Sequence, residues 1–324
     1  MKKLYTLFAM ICLMGLHPLF AQPLKLWTSI YKPGGNGYDY VNARAVVLST
    51  GDMVYAETYS QMVPAGTQFT QMYVNKHSAA TGASTYRANL SNTSITPDYV
   101  QFDNVAAITK DAADNVYIAG KYYYNASYNH DAVLIKLNSS MVPQYTLYSF
   151  SASPISGNDY SLNIYYKNNK LYWLTYRQDV GSVLSVYTDA GTYVGQVILG
   201  TGFTAADVRV NAAGEMYVIG STYTAAAGTQ VTLLKYDTSF GLVWLKNYNA
   251  RTGANADLLD GFEMNNNGDI LFTEHGYRTA TGYDGVLVKY NAAGTRVFSK
   301  FFNGSANSDD LGGPLTVDAS DNIY

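Results

Sequence analysis

Apolar and polar positions along the chain repeat one short theme. Two turn residues lead into a brief apolar run that carries an aromatic: GDMVYAET at 51–58, DNVYIAG at 114–120, NKLYWLT at 169–175, GEMYVIG at 214–220, GDILFTE at 268–274 and DNIY at 321–324. The aligned residues are Tyr55, Tyr117, Tyr172, Tyr217, Leu271 and Tyr324, about fifty residues apart. A second run follows each complete copy: QMYVNKH around Lys76, AVLIKLN around Lys136, SVLSVYT around Val186, VTLLKYD around Lys235 and GVLVKYN around Lys289. A third comes after another turn, as in PQYTLYSF from Pro143 and LVWLKNYN from Leu242, and a fourth precedes the theme, as in VAAITKD at 105–111 and DVRVNAA at 207–213. Four short runs per unit, with no 3.6-residue period, predict four strands rather than helices.

Four strands in a unit of this length match the blade of a β-propeller. The expected fold is therefore all-β: four-stranded antiparallel blades, about five of them complete, near 43–88, 104–150, 160–199, 206–250 and 258–303, with partial blades at both ends. Consecutive apolar residues such as Leu233 and Leu234 suit a sheet covered on both faces. Tyr117, Tyr172 and Tyr217 are expected as wedges between blades. Asp-Asn, Gly-Asp and Gly-Glu pairs sit where a tight hairpin requires positive φ. The run LWTSIY at 26–31 reads as the fourth strand of another blade, and DNIY stops within a second strand, so 22–324 reads as a propeller domain truncated at its C-terminus, part of a longer polypeptide.

The N-terminus changes the expected address. Lys2 and Lys3, an apolar run from Leu4 to Leu16, and Phe20-Ala21-Gln22 have the order of a secretory signal with cleavage after residue 21. The run is too short to span a bilayer, so no transmembrane segment is expected, and the protein reads as secreted or cell-surface. Cleavage removes Cys12, the single cysteine, and with it any disulfide or thiolate. A chain with 48% hydrophobic and 14% charged residues can bury a large core. Its formal charge of −3, with no basic cluster, argues against nucleic acid as a partner.

The stretch KYNAAGTRVFSKFFNGSANSDDLGGPLTVDASDNIY, 289–324, resembles the bacterial SBBP repeat, named for seven-bladed β-propellers, and KYDTSFGLVWLKNYNARTGANADLLDGFEMNNNGDILF, 235–272, is a weaker copy. The resemblance fades toward the N-terminal units. It implies an exported or surface-attached bacterial propeller, often joined to a C-terminal export or anchoring module, and it brings no catalytic residues with it.

Candidate chemistry is sparse. Acidic residues precede the first strand of most units: Asp39, Asp98, Asp159, Asp207, Asp257 and Asp309. As a ring at the channel mouth they would suit Ca2+ or a cationic ligand; the preferred reading is that each accepts backbone N–H groups in its own loop. Tyr122, Tyr123, Tyr124 and Tyr128 form a candidate carbohydrate-stacking cluster. The third-strand lysines are expected to pack their stems and send their charge to the rim. No HExxH, GxSxG or phosphate-binding loop is present. The reading is a non-catalytic binding or scaffold module, not an enzyme, with a protein or glycan partner and no cofactor beyond Ca2+; the alternative is a polysaccharide hydrolase or lyase working at the channel mouth.

Overall fold

Each turn-plus-aromatic run forms the second strand of a four-stranded antiparallel sheet in the structure, a computed structural model that describes residues 42–62, 68–90, 100–124, 130–149, 158–250, 257–278 and 280–324. Blade one is β1 (Asn42–Val47), β2 (Met53–Met62), β3 (Gln68–His77) and β4 (Ser84–Asn89), and blade two is β5 (Val100–Lys110), β6 (Val116–Tyr124), β7 (His130–Leu137) and β8 (Pro143–Ser149). Blade three is β9 (Tyr160–Lys167), β10 (Lys170–Arg177), β11 (Gly181–Thr188) and β12 (Tyr193–Gly200). Blade four is β13 (Phe203–Val210), β14 (Met216–Thr224), β15 (Gly228–Tyr236) and β16 (Leu242–Tyr248), and blade five is β17 (Leu258–Met264), β18 (Ile270–Arg278), β19 (Gly282–Tyr290) and β20 (Arg296–Phe302). Every sheet is a simple meander. The first strands of successive blades lie against one another, β1 on β5, β5 on β9, β9 on β13 and β13 on β17, so they surround the propeller axis. A sixth first hairpin begins with Thr316 and Tyr324 exchanging backbone bonds of 3.0 and 2.9 Å. No helix among the described residues is long and apolar enough to cross a membrane. The signal-like segment 1–21 and the run 26–31 lie outside the described residues.

The core lies between blades, where the inner and middle strands of each sheet pack on their neighbours. Val116 and Ile118 pack on blade one, while Tyr117 and Ala119 on the opposite face of β6 meet Leu171 and Trp173 of blade three. Tyr172 and Leu174 likewise meet Val208 and Val218, and Tyr217 and Ile219 meet Phe262 and Phe272. Tyr117, Tyr172 and Tyr217 are thus the expected wedges, and burying each ring contributes about 2–3 kcal/mol. The turn residues also behave as expected: Gly51, Asp114, Gly214, Gly268 and Asp321 hold φ between 62° and 87° at equivalent places.

Two features differ from expectation. The third-strand lysines do not end at an open rim: Lys76, Lys235 and Lys289 reach Asp52, Glu215 and Asp269 of their own first hairpins at 3.3, 2.9 and 2.7 Å. Lys136 instead donates to the Asp189 carbonyl of the next blade at 2.7 Å. The innermost strands also carry a β-bulge at one recurring place, with Ala106, Leu162, Ala206 and Asp260 as the extra residues. Opposite it, Gly120 and Gly220 are required, since a Cβ there would strike the carbonyls of Asn104 and Thr204.

Candidate functional site

The two ends of the propeller are built differently. One end carries the first and third hairpins; the first hairpins share one turn in every blade but blade three, which turns on Asn168 and Asn169 alone. Asp111 accepts the N–H groups of Ala113 and Asn115 at 2.9 and 2.8 Å, Asn265 accepts those of Asn267 and Asp269 at 3.1 and 2.8 Å, and Asp318 those of Ser320 and Asn322 at 2.8 and 2.9 Å. These loops close on backbone donors, which is hairpin chemistry. The other end carries the second hairpins and the blade-to-blade connections. Only residues 201–202 join β12 to β13, whereas 150–159 join β8 to β9. Unequal loops on a repeated frame are where recognition resides.

The acidic residues expected at this second end fall into separate places. Asp159 and Asp257 are equivalent: each is buried and donates its N–H to the third strand of the preceding blade, to His130 and Thr229 carbonyls at 2.7 and 3.2 Å. The Asp159 carboxylate accepts the Gln178 N–H at 2.8 Å. In the next register it is Asp310, not Asp309, that makes this backbone bond, to Tyr283 at 2.6 Å; exposed Asp309 accepts the Tyr283 N–H at 3.0 Å. Asp207 lies deeper, within β13, where it accepts from Asn163 and Arg209 at 2.7 Å each. Arg209 continues to Glu263 of blade five at 3.1 Å, so these side chains tie three innermost strands together. Burial raises the Asp207 pKa against the pull of Arg209. Among the described residues no three His, Cys, Asp or Glu gather to hold a metal ion. Asp39, Asp98 and Tyr128 lie outside the described residues, and Tyr123 and Tyr124 end β6. Tyr122 is a core residue, giving its hydroxyl to Asp131 at 3.2 Å and meeting Tyr148 edge-on.

Other residues occupy the mouth. Near each bulge stands the second-strand residue four places past the aligned position, Lys121, Tyr176, Ser221 and His275, paired in register with Asn104, Tyr160, Thr204 and Leu258. Between blades two and three a cleft of about 260 Å³ is lined by Asn104, Ala106, Lys121, Tyr160 and Ser161. Tyr160, 37% exposed, stacks on Tyr176 with ring centres 5.1 Å apart. At blade five, His275 Nδ1 lies 2.8 Å from Asp260 Oδ2, and Gly312 leaves room for that carboxylate. The carboxylate accepts from Nδ1–H and so orients the ring. An alignment of the repeats four residues beyond the tyrosines reveals these positions as the places where the units disagree.

No protein-family model matches the chain, and no curated protein matches it. Solved structures do. The NanB sialidase of Streptococcus pneumoniae superposes with a TM-score of 0.57 at 8% identity over 92% of this chain and 66% of that one. A protein of unknown function from Dyadobacter fermentans gives 0.55 at 11%, covering 83% of this chain and 84% of that one. A PL25 ulvan lyase bound to -[GlcA(1-4)Rha3S]- gives 0.50 at 10%, covering 83% and 72%. The fold is that of a β-propeller. The expectation that the chain is not an enzyme is corrected here: a sialidase and a polysaccharide lyase carry this fold, so a propeller without a linear catalytic motif is no ground for excluding catalysis.

Proposed function

We propose that the protein is an exported propeller, secreted or held at the cell surface, that binds a glycan at its variable end in the cleft between blades two and three. One observation carries this reading: the partly exposed Tyr160, its ring stacked on Tyr176, lies beside Lys121 and Asn104 in a single cleft. An aromatic face takes the C–H side of a sugar ring, and the lysine and amide suit its hydroxyls and carboxylates. The signal-like N-terminus and the likeness of 289–324 to an exported repeat support the address. A glycan array probed with the exported chain should give saturable binding to an acidic saccharide, weakened roughly tenfold by Tyr160→Ala. Binding only to protein ligands, or glycan binding indifferent to Tyr160 and Lys121, would overturn the assignment.

A second reading, that the protein also cleaves the glycan, is favoured by the Asp260–His275 pair, which provides an oriented base at the same mouth. Release of oligosaccharides from the bound glycan, lowered roughly a hundredfold by His275→Gln while binding persists, is the expected result. Unchanged release would make the pair structural.

A further inference from the structure

Blade three departs from all four other blades at two aligned positions and from three of them at a third, where blade two has Asn115. Tyr86, Tyr145, Trp244 and Phe298 stand opposite the third-strand lysines in the other blades; blade three has Gly195 opposite Val186. Where Asp52, Glu215 and Asp269 receive those lysines, blade three carries Lys170. The usual ring and the usual lysine are both missing, and a lysine stands where a carboxylate is the rule. No carboxylate pairs with Lys170 among the described residues.

A cleft of about 240 Å³ opens where these groups are missing, lined by Lys170, Tyr172, Val186, Val194, Met216 and Phe240 among others. Phe240 takes the hairpin position held by glycine in blades one, three and five, with φ 68°, and its ring covers Gly195. It replaces the missing ring only in part. The Tyr117 and Tyr217 hydroxyls bond to Asp111 and Glu215, whereas that of Tyr172 has no such partner among the described residues. An apolar cavity of about 150 Å³ accepts a benzene, so this one has room for one or two fused rings.

We propose that this cleft binds a small aromatic carboxylate, its ring between Tyr172 and Phe240 and its carboxylate on Lys170. The ligand supplies from outside the ring that the other four blades supply from within and the carboxylate that blades one, four and five supply. The site lies among the hairpins of the uniform end, so it is independent of the glycan cleft.

Isothermal titration of the full chain with indole-3-acetate and with neutral indole-3-acetamide tests this. Saturable binding of the acetate is expected, roughly tenfold tighter than the amide, with Lys170→Met removing that preference and leaving the amide unchanged. Val186→Lys, which restores the repeat, should block both. If a variant fails to fold, salt provides the second measurement, since raising it should weaken the acetate and spare the amide. A peptide ending in tryptophan, compared with its C-terminal amide, separates a chain end from a free small molecule as the source. No heat up to about 5 mM, or equal affinity for acetate and amide, overturns the proposal.

Discussion

Asp131 shows at a single residue what burial does to a carboxylate with few cations nearby. Burial, with Asp159 adding repulsion, pushes it up to about 6 against the opposing Tyr122 hydrogen bond. Its folded pKa lies above the unfolded value near 3.9, so the folded state holds the proton longer. Stability from this group is therefore full below about pH 4 and falls as pH rises to about 6. Asp131→Asn keeps an acceptor for Tyr122 and should raise stability by on the order of 1–2 kcal/mol at pH 7.5, with no gain near pH 4, in thermal melts at both. Asp114 does two jobs: it adopts φ 62°, and its carboxylate takes the Ser49 N–H of blade one at 3.0 Å. The hydrogen bonds from Lys110 and Ser49 hold its pKa down to about 2. Asp114→Gly keeps the backbone and loses the cap, at about 1 kcal/mol; Asp114→Ala should cost more, because it also strains the turn. Denaturant midpoints of the two variants read the difference.

Elements were legible to different degrees. The hairpins were readable because a tight turn needs residues that tolerate positive φ, and Gly51, Gly214 and Gly268 announce themselves. The bulges were not, since Ala106, Leu162, Ala206 and Asp260 follow no common residue type; only the pairing register exposes them. Compensation between elements was equally hidden. Gly195 in β12 and Phe240 in the β15–β16 hairpin exchange the roles that a ring and a glycine have in other blades. Gly195→Tyr alone should destabilise by about 1–3 kcal/mol, because the new ring meets Phe240. The pair Gly195→Tyr with Phe240→Gly should recover most of the loss, and a double-mutant cycle in urea measures that coupling.

Across the whole molecule, stability is shared along a chain of interfaces. Each apolar cluster joins two blades, one with two, two with three, three with four and four with five. Such a stack behaves as units coupled to nearest neighbours. The outer strands contribute least: Leu242, Val243 and Leu245 of β16 and Val297 and Phe302 of β20 are exposed. Amide exchange followed by mass spectrometry should find β14 and β15 best protected in blade four and β16 exchanging earlier. Equal protection across the blade would mean that the outer strand is covered in solution.

The sequence alone determined the strand count per unit, the turns and the inter-blade tyrosines, because alternation, backbone φ and ring size act within a few residues. Tertiary structure alone decided which side chains meet. Asp159 turns its carboxylate into its own blade, Asp207 joins an arginine tie, and Asp260 meets His275 beside a bulge. Those encounters depend on register between strands and on the angle between blades, which no spacing along the chain encodes.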